Sequence, residues 1–250
     1  MVCRFGSVEL IATREMNKVL NKKKKFNPND FKHMESNAGF FPIDYANMKK
    51  FHTEMLNAMQ IIDVLGSWRL EETYFKNKLK NSIKIQLSDL FPPNHNPPWT
   101  NSLKNKKVLV IHPFEKTIQS QYKKHEKLFE DKDLLPKFEL KTIKAVQSIG
   151  GNKKFKDWFE ALNYMKKKIN SVDFDIALIG CGAYGLPLAA HVKKIGKQAI
   201  HLGGSTQLLF GIKGKRWDEI YPDLYNKYWV RPLEEERPKL YKKVEDGCYW

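Results

Sequence analysis

At 250 residues, 42% hydrophobic and 12% aromatic, the chain is long and apolar enough to bury a full core, which excludes a disordered segment. No apolar run approaches the ~18 residues of a membrane span, and the opening "MVCRFGSVEL" lacks a secretory hydrophobic region because Arg4 and Gly6 interrupt it. The net charge of +16 suits polyanions or an anionic membrane surface, but outside the runs at 22–25 and 166–168 the lysines are dispersed singly or in pairs. That dispersal reads as a solvated surface and not as a specific nucleic-acid site.

In chain order, residues 8–20 form an expected helix that the lysine run and "FNPND" terminate. The loop "NAGFFP" at 37–42 leads into a long expected helix over 45–65, where Met48, Phe51, Met55, Met59, Ile62 and Leu65 recur at spacings of three and four. Ser67 then stands as the N-cap of a further helix that carries Glu71 and Glu72. Prolines crowd "LFPPNHNPPW" at 90–99, the clearest boundary in the chain.

Beyond it the pattern alternates. "KVLVI" at 107–111 is a buried strand, 117–129 a helix, 138–145 a strand, and 155–169 a helix with one apolar face. "IALI" at 176–179 is again a strand, followed by Gly180, Gly182 and Gly185 at G-x-G-x-x-G spacing, a helix over 186–195 and a strand over 198–202 that ends in Gly203 and Gly204. The fold class expected is α/β, a Rossmann-like doubly wound, mainly parallel sheet with a helical N-terminal portion. One domain spans 1–250, with 1–100 mainly helical and 101–250 carrying the α/β part.

Ligands of such sheets bind at the carboxyl ends of the strands. That rule gathers His112, Ser120, Gln121, Tyr122, Tyr184, His201, Ser205, Thr206 and Gln207 with the glycine turns. An NAD site requires an acid about 20 positions after the glycines, to hold the ribose hydroxyls. His201 occupies that position, and no carboxylate lies between Gly185 and Asp218. A phosphate ligand other than NAD is favoured, held by backbone amides at a helix N-terminus; glycines serving only close packing are the alternative. Cys3, Cys181 and Cys248 lack metal-ligand spacing and read as free thiols of a reducing, cytoplasmic compartment.

Two segments carry a resemblance. "RFGSVEL" at 4–10 resembles the "RFGDGEL" that opens the GT-D-type glycosyltransferases, and "IGCGAYGLPLAAHVKKIGKQAIHLGG" at 179–204 resembles that family's glycine-rich strand-helix-strand unit. The resemblance implies a nucleotide-sugar-dependent transferase of polysaccharide or glycoprotein assembly. Its donor would be a nucleoside diphosphate sugar, and its acceptor a glycan or a lipid- or protein-linked one. Arg4, Gly6, Ser7, His112, Gly180, Gly182, Tyr184, Gly185, His201, Gly203 and Gly204 would bind the donor. Glu9, Glu72 and Asp44 are the catalytic candidates, with a solvated helix acid as the alternative for Glu72 and helix capping for Asp44. The family's Asp-x-Glu motif serves a divalent metal, Mn²⁺ or Mg²⁺, and here only Glu9 is kept, with Ser7 at the position of the Asp. The later turn also departs, with His201 in place of the acid and Gly204 in place of the histidine. Arg4 and nearby lysines stand as an alternative means of neutralising a leaving diphosphate. Another nucleotide-binding α/β enzyme, a nucleic-acid-binding role for the basic surface, a peripheral membrane contact and homo-oligomerisation all stay open.

Overall fold

The computed structural model describes residues 1–149 and 154–250. Its seven strands are β1 (Val2–Arg4), β2 (Val64–Ser67), β3 (Ile83–Gln86), β4 (Lys107–His112), β5 (Glu139–Lys144), β6 (Ile176–Ile179) and β7 (Gln198–His201). They form one sheet in the order β3-β2-β1-β7-β6-β4-β5, with every pairing parallel. The helices are α1 (Ser7–Leu20), α2 (Lys32–Ser36), α3 (Tyr45–Met59), α4 (Glu115–Tyr122), α5 (Trp158–Asn170), α6 (Gly185–Lys194) and α7 (Lys215–Ile220). Helices pack on both faces, as the sequence alternation implies.

Strand periodicity sorts the core into two layers. Leu109 and Ile111 of β4, with Ala177 and Ile179 of β6, face the layer built from Leu10, Met16, Phe51 and Trp158. Val108, Val110, Ile176 and Leu178 face the other, with Leu103, Ile118, Phe210 and Ile212. Burying each such large side chain stabilises the fold by about 1.5–3 kcal/mol.

The N-terminal portion is helical as expected, but it also supplies three strands, so the proline boundary does not separate a helical part from the sheet. β1 lies centrally, between β2 and β7. The helix expected over 45–65 stops at Met59. Ile62 and Leu65 are in phase with it, but Leu65 pairs with Cys3 in the sheet, because a short apolar run satisfies both periods. Ser67 ends β2 and caps no helix; a 3-10 turn over Leu70–Phe75 follows instead. Among the described residues no helix is long and apolar enough to cross a membrane.

Candidate active site

A cleft of about 420 Å³ opens at the carboxyl ends of the strands, within the range typical of ligand sites. β1 delivers Arg4, and the turn into α1 delivers Gly6, Ser7, Val8 and Glu9. The end of β4 brings His112, the turn after β6 brings Gly180 and Gly182, and β7 with its following turn brings His201, Gly203 and Gly204. The two segments singled out in the sequence, from opposite ends of the chain, therefore share one cavity.

Arg4 is the last residue of β1, and its guanidinium lies 4.7 Å from the centre of the Trp68 ring. Trp68 is fixed in turn by its indole N–H, which donates to the Phe5 carbonyl at 3.0 Å. Gly203 has φ +64°, a left-handed conformation that favours glycine, and a side chain there would meet Arg4 Nη1 at 3.0 Å. Burial lowers the Arg4 pKa while the nearby Glu9 opposes that shift. Arg is nonetheless protonated at any physiological pH.

Glu9 stands in the first turn of α1, whose N-terminus at Gly6 has no side-chain cap. Its carboxylate folds back over Gly6, so closely that a β-carbon at Gly6 would lie 2.0 Å from Oε2. Burial raises its pKa, and the Glu245 carboxylate adds to that, against the lowering effects of its own backbone N–H and Arg4. First-turn amides have no intrahelical acceptor. The Glu9 carboxylate takes up its own N–H, and with no cap side chain the amides of Ser7 and Val8 remain for an anion, beside Arg4.

His112 and His201 are both neutral, with pKa pushed down to about 3 by burial, the Arg4 cation contributing at His201. The His112 Nδ1 accepts the Phe114 N–H at 3.0 Å, which fixes its tautomer. The His201 Nδ1 is buried without a hydrogen-bond partner among the described residues.

Several sequence expectations need correction. Glu72 does not line the cleft. Its carboxylate is buried and accepts the Ser67 hydroxyl and the amides of Trp68 at 3.0 Å and Arg69 at 3.1 Å, tying the end of β2 to the 3-10 turn. Asp44 caps α3, accepting the Asn47 N–H at 2.8 Å, and is also outside the cleft. Gly185 serves packing, because a β-carbon there would meet His201 Nε2 at 2.1 Å. Tyr184 reaches the cleft wall, but its ring stacks on Trp158 at 4.9 Å and its hydroxyl is bonded to that of Ser148. From the end of β4 and the residues after it, only His112, Pro113 and Phe114 line the cavity. Ser120, Gln121 and Tyr122 belong to α4, where Gln121 bonds the Gly211 and Tyr228 carbonyls. Of the polar residues after β7, Gln207 lines it, and Ser205 and Thr206 do not.

Sequence reasoning missed a further part of the wall, made of Arg216, Glu245, Tyr249 and Trp250. Nothing local marks those residues, since they meet the site only through the return of the chain.

The donor set does not fit a divalent cation held by the protein. No three His, Cys, Asp or Glu side chains converge among the described residues, and burial disfavours ionised Glu9, whereas Mg²⁺ and Mn²⁺ favour several oxygen ligands. Cys3 and Cys181 are buried free thiols with raised pKa, a setting for inert and not nucleophilic sulfur. No protein-family model, curated protein or solved structure matches the chain.

Proposed function

We propose that this chain is a glycosyltransferase that moves a sugar from a nucleoside diphosphate sugar to an acceptor hydroxyl. One observation carries the reading: the Arg4–Glu9 segment and the glycine turns at Gly180–Gly182 and Gly203–Gly204, the parts that resemble the GT-D family, line a single cleft. Arg4 has a forked, permanently charged head suited to phosphate, and the uncapped amides of α1 lie beside it. The strand after the glycine turn ends in neutral His201, so the ribose-binding acid of an NAD site is missing.

The chemistry follows from the charges. As the bond between the anomeric carbon and the diphosphate oxygen breaks, its electron pair leaves on the diphosphate, where Arg4 and the α1 amides stabilise it. The acceptor oxygen forms the new bond to the anomeric carbon, and its proton passes to Glu9. Glu245 is already paired with Arg216, so Glu9 is the remaining carboxylate among the described cleft residues. A carboxyl whose pKa burial has raised is suited to taking up a proton near neutrality.

The test is thermal unfolding with UDP, GDP, their sugar conjugates, NAD and an oligonucleotide at physiological salt. A ligand at 100 times its Kd stabilises by about 2.7 kcal/mol, which at this chain length is a rise on the order of 5–10 °C. UDP or GDP compounds are expected to give it. A rise with NAD or the oligonucleotide alone would overturn the proposal.

A further inference from the structure

Glu245 lines the cleft from a segment whose backbone few sequences adopt. Glu245, Asp246 and Gly247 follow one another at φ +44°, +55° and +77°. Glycine does this freely, but two consecutive side-chain-bearing residues in the left-handed region are costly, and such conformations persist only where surrounding contacts impose them. Here the contacts are backbone bonds, from Gly247 N–H to the Val244 carbonyl at 2.8 Å and from Lys215 N–H to the Trp250 carbonyl at 3.3 Å, joined by two ion pairs. Glu245 pairs with Arg216, and Asp246 with the adjacent Lys215, at the start of α7. Asn37 Nδ2 also reaches Glu245 Oε1 at 3.4 Å.

Arg216 is built into the site and is not a surface ornament. Its backbone N–H donates to the Cys248 carbonyl at 2.9 Å, and its guanidinium touches Cys248 Sγ at 3.3 Å. Its head also lies 5.0 Å from the centre of the Tyr249 ring. Both charges of the pair are felt across the cavity: Arg216 acts on Arg4, and Glu245 on Glu9. The cleft thus holds two arginine forks. Among the described residues Arg4 has no carboxylate bonded to it, and Arg216 is occupied by a carboxylate, whose two oxygens present to guanidinium the geometry that a phosphate presents.

We propose that Arg216 is a second phosphate-binding residue and that Glu245 is a built-in competitor for it, displaced when a diphosphate enters. The inference rests on the nucleoside diphosphate reading of the cleft. Two linked phosphates take two cations, Arg4 and Arg216. Loss of the Glu245 contact frees a strained turn, and with it the 245–250 segment that places Tyr249 and Trp250 on the cleft wall. Entry of the ligand and rearrangement of that wall are then one event.

The experiment titrates UDP and inorganic pyrophosphate calorimetrically, at fixed ionic strength, into the full chain and into Glu245→Gln, Arg216→Gln and the double variant. Glu245→Asn, which tolerates positive φ better, is a second release variant should Glu245→Gln fold poorly. Glu245→Gln is expected to tighten binding on the order of 10-fold, and Arg216→Gln to weaken it by a similar factor. The gain from Glu245→Gln should vanish in the Arg216→Gln background, because a competitor matters only while its target exists. Hydrogen exchange over 241–250 should speed up when UDP is added to the wild type, and be fast already in Glu245→Gln.

Unchanged affinity in Glu245→Gln, or a gain that survives without Arg216, would overturn the inference. If UDP still binds in that case and Arg4→Gln abolishes it, the nucleotide reading stands alone. If pyrophosphate binds with the expected cycle but UDP binds no better than pyrophosphate, the latch stands and the nucleotide reading falls. Binding of neither probe to any variant removes both.

Discussion

Gly6→Ala separates the position of the Glu9 carboxylate from its charge. The Gly6 backbone, at φ −72° and ψ 137°, is ordinary extended structure that alanine accepts. The new methyl would sit 2.0 Å from Glu9 Oε2 and 2.4 Å from its carboxyl carbon. To go from 2.0 Å to ordinary contact at 3.4 Å, the carboxylate must withdraw by about 1.4 Å. It is the end of a flexible side chain, so the fold survives. Replacing glycine at a compatible position reduces unfolded-state freedom and adds about 0.4–1 kcal/mol of stability. A displacement on the order of 1 Å at a reacting group costs about 10²-fold in rate. Alanine is a poorer N-cap for α1 than glycine, which offsets the entropic gain, so Gly6→Ala should lower turnover by about 10²-fold with Tm little changed. Glu9→Gln, which leaves the side chain in place and removes the charge, should lose on the order of 10²-fold or more. The assay is the initial rate of transfer or donor hydrolysis with the UDP- or GDP-sugar that stabilises the protein most, read beside Tm. Wild-type turnover in Gly6→Ala would show that the carboxylate's position does not matter and would refute its catalytic role.

Asp44→Ala removes the α3 cap and should cost about 1 kcal/mol with turnover unchanged; a loss of turnover at unchanged Tm would return Asp44 to the site. His112 and His201, at about 3 in the folded protein against the ordinary 6.5, bind fewer protons folded than unfolded. Their contribution is complete above pH 6.5 and is lost as pH falls from there towards 3, each by up to about 1.4 kcal/mol per pH unit. The urea midpoint should drop between pH 7 and pH 5, less steeply in His112→Gln, and a flat wild-type midpoint would refute the burial argument.

What was legible in the sequence follows from how local each signal is. β4 and β6 stood out as "KVLVI" and "IALI" because strands buried on both faces are continuous apolar runs. β1 did not, since three residues before a helix carry no period of their own and become a strand only by pairing with β2 and β7. The same limit hid β2, whose Leu65 continues the helical spacing of α3. At the site, the glycine turns and the Arg4–Glu9 segment were legible because the chemistry sits within a few consecutive residues. Glu72 and Asp44 misled for the same reason: their partners are amides three or four positions away, so each carboxylate is consumed by its own turn. Arg216 and Glu245 were illegible because 29 residues separate them and only the returning chain joins them.

The distribution of charge bears on selectivity. The protein carries 44 Lys plus Arg, yet no lysine lines the cleft among the described residues; its cations are Arg4 and Arg216. The surface lysines give a diffuse positive field, which attracts any polyanion and is screened within about 8 Å at physiological salt. Inside the cleft the balance is different: Arg4 and Glu9 are partly buried, where screening is weaker, and Arg216 is paired with the more exposed Glu245. A small anion that reaches both forks and the α1 amides inside the cleft of about 420 Å³ gains contacts that a polyanion held on the surface lysines does not make. On the proposed reading, raising salt should strip nucleic acid from the surface well before it removes a diphosphate from the cleft. The high net charge then describes the solvated exterior, and the ligand is chosen by the few fixed charges beneath it.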